Sequence, residues 1–404
     1  MLRLLALVLP ALWLGNVPAQ AVIVASGDGT QNTTAPADDP GFANVGVKGG
    51  LSVVYLGNRW VVTAAHVGMG TVTFGGVPYA AIPGTLVSFE TSPGKLADLI
   101  AFKLREDPGL PTLAIASTTP PAGSSVNSSV VMIGHGRDRG ASTQWTPPPP
   151  PQTGPIDGWL WGPGYAMRWG TNLVGGAPTN VTIGSNVSRA FWTDFTNASA
   201  TASEAQAAEG DSGGALFVKP QSVGSWQLAG VLFAIGAFSG QPASSALYGN
   251  VTYALDLAFY RSAILAVTTR PACNDGIEDD GDGLVDFPND PGCSSATDLD
   301  ERSPLLPCDD GADDDGDGLA DYPADPGCKD PAWTRENPAC DDGIDNDGDG
   351  AIDWDGGATN GKPDARCVAT GSWQMAEAPG CGLGVELVAL IPLLARWRRR
   401  RRAD

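Results

Sequence analysis

The stretch Gly210-Asp211-Ser212-Gly213-Gly214, within the run EAQAAEGDSGGALF, places one serine between an acidic residue and two glycines. Glycine has no Cβ and adopts positive φ at little steric cost, so this composition predicts a tight turn. Backbone N–H groups on such a turn can point at one spot in front of the serine. The stretch therefore predicts a nucleophilic serine held on a tight loop.

Two segments upstream supply the partners that a nucleophilic serine needs. Residues 60–66 form a β-branched run that ends in small residues and His66, and residues 96–104 form an apolar strand that Asp98 opens. A serine hydroxyl becomes a good nucleophile when an imidazole takes its proton, and a carboxylate fixes the tautomer of that imidazole. Each of the three residues alone also fits a structural role: a core histidine, a strand-end cap, a turn serine.

The order histidine, aspartate, serine in these segments resembles the trypsin/chymotrypsin-like serine proteases, over residues 22–268. The resemblance implies hydrolysis of a protein or peptide substrate through an acyl-enzyme, without a catalytic cofactor. Ser212 is then the nucleophile, His66 the general base and acid, Asp98 the orienting carboxylate, and the backbone N–H groups of Gly210 and Ser212 the oxyanion hole. His135, the other histidine of the chain, is interpreted as structural. The competing interpretation is a catalytically idle binding protein that keeps the protease fold.

Residues 41–268 contain many short, β-branched apolar runs separated by turns rich in Gly, Pro, Asn and Ser. Examples are residues 51–56, 71–74, 130–133 and 228–233. This pattern predicts an all-β sandwich or barrel. The resemblance selects two six-stranded barrels with the site in the cleft between them, followed by a C-terminal helix at residues 254–264, where the apolar spacing is helical.

The N-terminus has the pattern of a secretory signal peptide, which we place at residues 1–21. A basic Arg3 precedes an apolar run, and Ala19-Gln20-Ala21 is a small-residue cleavage site. Cleavage there leaves Val22 as the first residue. In the resembled family a freed α-ammonium pairs with the aspartate before the nucleophile, here Asp211. The alternative is that residues 22–24 are simply a first strand.

Specificity is assigned by resemblance alone. The base of the primary pocket lies six residues before the nucleophile, which is Gln206 in this sequence. No acidic residue stands there to bind a basic side chain. The resemblance therefore favours a substrate with a neutral or small residue before the scissile bond.

Acidity and cysteine are both confined to the last third of the 404-residue chain. Residues 273–370 hold 28 Asp and Glu against 5 Lys and Arg, and all seven cysteines lie at or beyond Cys273. The basic residues cluster only at the extreme C-terminus, at Arg396 and residues 398–402, so no nucleic-acid partner is expected. Disulfides persist in oxidising compartments, and the cysteines therefore agree with export.

An internal repeat fills this acidic region, with copies that begin at Cys273, Cys308 and Cys340. Each copy contains alternating carboxylates with a glycine at the sixth position, and a hard cation needs several oxygens from one tight turn. The pattern resembles the calcium-binding loops of thrombospondin type 3 repeats. The predicted calcium ligands are Glu278, Asp280, Asp282 and Asp286; Asp313, Asp315, Asp317 and Asp321; and Asp345, Asp347, Asp349 and Asp353.

The repeats depart from an EF-hand, because position twelve of each loop is not glutamate. An outer ligand from Asp290 or Asp325 is an alternative, and a disordered acidic linker is the competing interpretation. Proximity pairs the cysteines as Cys273–Cys293, Cys308–Cys328 and Cys340–Cys367, although the sequence alone allows other connectivities.

The last segment, residues 371–404, combines a small motif around Cys381, an apolar stretch and an arginine run. It resembles bacterial C-terminal sorting signals of the MYXO-CTERM and PEP-CTERM kind, which implies contact with the cell envelope and with a processing protease at Cys381. A plain membrane anchor is the alternative. We thus expect four parts: the signal peptide at residues 1–21, a protease domain at 22–270, three calcium-binding repeats at 271–370 and a sorting signal at 371–404.

Overall fold

The computed structural model describes residues 22–123, 125–148, 154–197, 201–337, 340, 342–345, 350–353, 356, 361–365 and 367. The chain divides into two compact units, Met1–Thr269 and Arg270–Asp404, called here the first and the second unit. The predicted signal peptide, the sorting segment with Cys381, and the predicted ligands Asp347 and Asp349 lie outside the described residues.

The N-terminal half of the first unit contributes one seven-stranded antiparallel sheet. Its strands, with the short strand that precedes them, are β1 (Ile23–Val24), β2 (Val45–Lys48), β3 (Leu51–Gly57), β4 (Trp60–Thr63), β5 (Val72–Phe74), β6 (Val77–Tyr79), β7 (Val87–Ser92) and β8 (Lys95–Lys103). The order across the sheet is β6-β5-β2-β3-β4-β8-β7. β4 and β8 are therefore neighbours, and Thr63 lies opposite Ile100.

The C-terminal half contributes a second seven-stranded sheet in the order β12-β9-β16-β17-β19-β14-β13, a three-stranded sheet β10-β11-β18, and the pair β1-β15. The elements are β9 (Ser129–Gly134), β10 (Arg137–Trp145), β11 (Ile156–Tyr165), β12 (Arg168–Leu173), β13 (Thr179–Ile183), β14 (Asn186–Asp194), β15 (Ala205–Gln206), β16 (Ala215–Val218), β17 (Gln227–Gly236), β18 (Ser245–Leu247), β19 (Val251–Asp256) and the helix α1 (Leu257–Thr268).

The central strands of both large sheets are buried on both faces. Every residue of β4 and β16 is buried, as are all but the first of β3 and β9. Strands buried on both faces read as continuous apolar runs rather than alternating ones, which is the pattern of residues 51–56 and 130–133 in the sequence. One hydrophobic core cluster contains Val22 and Val24 of the N-terminal segment together with Val130 and Met132 of β9.

The all-β prediction is confirmed, since the first unit is mostly sheet with one α-helix. The finer architecture differs from the expected six strands per barrel. Each large sheet has seven strands, and within the described part of the chain no pairing joins the two edge strands of either sheet. The helix also begins later than predicted, at Leu257, because Ala254 and Leu255 belong to β19 and pair with β14 and β17.

The second unit is loop-rich and carries three disulfides, Cys273–Cys293, Cys308–Cys328 and Cys340–Cys367. These are the pairs that proximity predicts, one in each repeat. Disulfides indicate an oxidising environment. Among the residues that the structure describes, no helix has the length and apolar character needed to cross a membrane.

Candidate active site and acidic loops

Two hydrogen bonds join His66 to Asp98, and a third joins the preceding residue, Ala65, to Asp98. The Asp98 carboxylate accepts one from the backbone N–H of His66 at 2.9 Å and contacts the Nδ1 atom of the ring at 2.7 Å. The Asp98 carbonyl accepts a third from the N–H of Ala65 at 3.1 Å. Because β4 and β8 pair side by side, the loop after β4 lies directly against Asp98.

The environments of the two side chains differ sharply. The side chain of Asp98 is 4% exposed, whereas that of His66 is 43% exposed. Asp98 does not open its strand, since β8 begins at Lys95 and includes it. A buried carboxylate thus holds an imidazole that is partly open to solvent.

The serine turn is docked onto β3 of the first sheet. The N–H of Ser52 donates to the Ser212 carbonyl at 2.9 Å, and the Ser52 hydroxyl donates to the Gly210 carbonyl at 3.1 Å. Gly213 has a φ of 84°, and any side chain there would overlap the Ser52 carbonyl oxygen. The glycine is therefore required for the turn to sit this close to β3.

The backbone N–H groups around Ser212 fall into two classes. Those of Asp211, Gly213 and Gly214 donate to carbonyl oxygens at 2.7–3.2 Å. Those of Gly210 and Ser212, the two expected oxyanion donors, have no acceptor among the described residues. An unpaired pair of amides flanking a serine can bind an anionic oxygen.

The structure records no hydrogen bond between the His66 ring and the Ser212 hydroxyl within the part of the chain that it describes. Ser212 is nonetheless partly exposed, like His66. Of the three predicted triad residues, the structure thus brings His66 and Asp98 into contact, while Ser212 is held separately by its own turn.

Asp211 is fully buried, and its Oδ2 atom accepts the N–H of Ala208 at 2.7 Å, while its Oδ1 atom has no hydrogen-bond partner among the described residues. Burial raises the pKa of Asp211 to about 7, and the backbone amides of Ala208, Val22 and Gly136 and the positive charge of Arg168 offset part of that rise. The Val22 amide thus acts on the carboxylate with which the resemblance pairs Val22, without forming a hydrogen bond to it.

Arg139 holds the segment that follows Val22. Its guanidinium donates at 2.6–3.2 Å to the carbonyl oxygens of Val24, Ala25, Ser26 and Gly27. No feature of the sequence predicted this contact, because it joins residues more than a hundred positions apart. Arg139 consequently fixes residues 24–27 of the N-terminal segment.

Gln206, the expected base of the primary pocket, lies in β15 opposite Ile23. It is fully buried, and neither the nitrogen nor the oxygen of its amide has a hydrogen-bond partner among the described residues. The Gln206 amide is thus closed off from solvent, and it is not open to a substrate side chain in this structure.

In the second unit, two of the predicted ligand sets converge. Glu278, Asp280 and Asp282 each offer an oxygen within 4.8 Å of the others, and the same holds for Asp313, Asp315 and Asp317. These acidic groups can hold a metal ion. Oxygen-only ligands at this spacing suit a hard cation such as calcium.

The fourth predicted ligand of each loop accepts hydrogen bonds from backbone amides. The side chain of Asp286 accepts the backbone N–H groups of residues 275 and 276, and Asp321 and Asp353 accept the corresponding amides of their repeats. All three residues have positive φ. Each of them closes the loop by hydrogen bonding to backbone, so none belongs to the converging groups.

Two glutamates that sequence analysis missed stabilise the loops from the next linker. Glu301 accepts the N–H groups of Asp279 and Asp286, and Glu336 accepts those of Asp314 and Asp321. Both glutamates approach a carboxylate and a cysteine sulfur, but that sulfur is in a disulfide and is not a thiolate ligand. Their constant distance of eleven residues after Asp290 and Asp325 was the available sequence signal.

Burial and mutual repulsion raise the pKa values of the loop carboxyls. The pKa of Asp282 and that of Asp290 are each raised to about 6, first by burial and then by neighbouring carboxylates. A cation among these groups would remove both effects, since it replaces lost hydration and cancels like charge.

No known protein family matches this chain, and no curated protein is detectably similar to it.

Proposed function

We propose that the chain is an exported serine endopeptidase that hydrolyses peptide bonds with Ser212, His66 and Asp98. The observation that carries the proposal is the double contact of the Asp98 carboxylate with the backbone and the ring of His66, at 2.9 and 2.7 Å. A carboxylate on Nδ1 fixes the tautomer with a free lone pair on Nε2. The His66 side chain is 43% exposed, which supports access of a serine hydroxyl and a substrate to the ring.

The chemistry then follows from the residue types. The Ser212 Oγ atom bonds to the substrate carbonyl carbon while its proton passes to His66 Nε2. The C–N bond breaks, and the same proton goes to the leaving amine. Water then adds to the acyl carbon and gives a proton to His66. The bond between the acyl carbon and Oγ breaks, His66 returns that proton to Oγ, and the acid leaves. The unpaired amides of Gly210 and Ser212 support a role at the anionic oxygen, where one such donor contributes about 10²–10³ in kcat.

The proposal extends to the fold. The two seven-stranded sheets correspond in it to the two barrels of a trypsin-like protease, with the site where they meet. His66 and Asp98 come from the first sheet, and Ser212 lies on the loop before β16 of the second. The hydrogen bond from Ser52 to Ser212, which crosses between the sheets, supports this assignment.

Activation is proposed to occur when signal peptidase cuts before Val22. The α-ammonium so formed would stand where the Val22 N–H stands now, against the buried Asp211 carboxylate. Its charge would compensate a group that burial otherwise drives towards its neutral form. No separate propeptide is then needed.

Calcium is proposed to bind the acidic loops and to stiffen a spacer between the protease and the cell envelope, where the segment around Cys381 would direct the chain. The Oδ2 atoms of Asp280, Asp282 and Asp290 are buried without a hydrogen-bond partner, which fits a cation among them. Chelation with EDTA is expected to expand the second unit in small-angle scattering of the full chain. An unchanged radius of gyration would contradict this part.

The second candidate is a protease-fold binding protein without catalysis. The unmade hydrogen bond between His66 and Ser212 favours it, although catalytic hydrogen bonds are often loose before substrate binds. A fluorophosphonate probe separates the two candidates, because it forms a covalent bond only with an activated serine.

The decisive experiment labels the secreted protein with that probe and compares Ser212→Ala, His66→Ala and His135→Ala. We expect labelling of the wild type and of His135→Ala, the matched histidine control, and none of the other two. Absence of labelling in correctly processed wild type would refute the protease proposal in favour of the binding protein.

A further inference from the structure

Three carboxylates from two different repeats converge in the second unit. Asp280, Asp290 and Asp309 each offer an oxygen within 4.8 Å of the others. Asp280 and Asp290 belong to the first repeat, whereas Asp309 follows Cys308 and begins the second. This set differs from the predicted loops, which take all their ligands from one repeat.

The set is buried and incompletely satisfied. Asp290 is 2% exposed and Asp309 3% exposed. One Asp290 oxygen accepts the Gly292 N–H at 2.7 Å, while the other, Oδ2, is buried without a hydrogen-bond partner. The Oδ2 atom of Asp280 is also buried without a hydrogen-bond partner. Buried carboxylate oxygens that face one another are strongly unfavourable unless a cation or a shared proton lies among them.

The approach of Asp309 is built into the backbone of the first repeat. Glycine is needed at position 292 because a side chain there would overlap the Glu301 backbone carbonyl, and the Asp309 carboxylate also lies against this position. Asp309 is held from its own side by the N–H of Ser303, which donates to Oδ2 at 3.3 Å. The juxtaposition is therefore specified by both repeats.

We propose that one divalent cation, calcium by its all-oxygen ligands, binds Asp280 and Asp290 of the first repeat together with Asp309 of the second and so links the two repeats. The inference rests on the proposed calcium binding of the repeats. It adds Asp309 as a calcium ligand, a residue that none of the predicted loops contains. Calcium–oxygen distances of about 2.3–2.6 Å allow ligand oxygens up to about 5 Å apart, and the flexible geometry of calcium accepts such a set.

The repeat sequence agrees with this assignment. The residue after the first cysteine is Asn274 in the first repeat, Asp309 in the second and Asp341 in the third. The aspartate thus stands only in repeats that follow another repeat in this sequence.

The test follows hydrogen exchange of the full chain by mass spectrometry, with and without calcium chloride, together with calorimetric titration of calcium. Asp309→Asn keeps an oxygen acceptor for Ser303 and removes one charge. Asp300→Asn removes the same charge from an exposed position outside the three-carboxylate set and is the matched control. We expect calcium to slow exchange in residues 277–293 and 303–311 of wild type and of Asp300→Asn. In Asp309→Asn the protection of residues 303–311 should be lost, and calcium affinity at one site should fall at least about tenfold.

The alternatives give different patterns. If calcium protects only residues 277–293 of the wild type, or if Asp309→Asn behaves as Asp300→Asn, the bridging site is refuted while calcium binding stands. If calcium changes neither exchange nor heat in the wild type, the proposed calcium binding of the repeats fails as a whole. If a variant folds poorly, the wild-type pattern still tests the bridging site, because protection confined to residues 277–293 refutes it.

Discussion

Asp211 is expected to titrate near neutral pH in any form of the chain in which residues precede Val22. Its carboxyl is fully buried, and burial raises its pKa to about 7 despite the amide of Val22 and the charge of Arg168. In a chain that begins at Val22, the same nitrogen is an ammonium, and its full positive charge favours the ionised carboxylate. The perturbation is therefore the presence or absence of residues 19–21 ahead of Val22.

The sign and size follow from proton linkage. The folded, extended chain keeps a proton that the unfolded chain releases above its ordinary pKa of 3.8. The stabilising contribution is complete below about pH 4 and is lost as the pH rises through about 7, and a shift of about three units corresponds to about 4 kcal/mol. Roughly 2.5 kcal/mol of it disappears between pH 5 and pH 8. In the chain that begins at Val22, the contribution should be nearly flat over this interval.

The assay is urea denaturation at pH 5, 6, 7 and 8, followed by tryptophan fluorescence, for both forms and for Asp211→Asn in each. The difference in unfolding free energy between Asp211 and Asn isolates this one group from all other titrations. We expect that difference to change by about 2.5 kcal/mol in the extended form and by less than about 0.5 kcal/mol in the form beginning at Val22. Equal pH slopes in the two forms would refute the ion pair between Val22 and Asp211.

The other predictions concern single substitutions. Asp98→Asn should lower the rate of fluorophosphonate labelling about 10⁴-fold, because the histidine loses its fixed tautomer; an effect below tenfold would contradict the proposed role. Gly213→Ala should lower labelling about 10²-fold because the serine turn must shift, whereas Gly224→Ala, with a similar φ and open space around it, should label normally. Replacing Cys273 and Cys293 by serine should destabilise the second unit by about 3 kcal/mol in calorimetry and leave the first unit's transition unchanged.

The sequence predicts the sheet content of the first unit well, because strands buried on both faces appear as continuous apolar runs. The number of strands and the start of α1 were harder to predict. The start of α1 was ambiguous because Ala254 and Leu255 have an apolar spacing that fits a strand end as well as a helix. Contacts between segments that are distant in the sequence could not be predicted without the family resemblance. The contact of His66 with Asp98 depends on β4 and β8 being neighbours, and the contacts of Arg139 depend on where β1 runs.

The acidic repeats show a different limit. Their cysteine pairing was predictable because each pair lies within one copy, and the structure confirms it. Ligands and loop-closing residues were not distinguishable, since an aspartate such as Asp286 has the same side chain in either role. The two roles differ only in the positive φ of the residue and in its backbone hydrogen bonds. The repeat pattern of the sequence predicts neither of these. Glu301 was missed because it lies outside the copy that it stabilises.

The placement of the disulfides also determines how the second unit would respond to a mechanical load between its ends. A bridge such as Cys273–Cys293 withholds the chain between its two cysteines from extension. Only the connecting segments can lengthen, and the one from Cys293 to Cys308 reaches about 50 Å when fully drawn out. Reducing the first bridge would release a further 70 Å or so, because its cysteines are 20 residues apart. In the proposed surface protein, a chain with one disulfide in each repeat would act under tension as a tether of limited length. Its maximum extension would depend on whether its surroundings keep the disulfides oxidised.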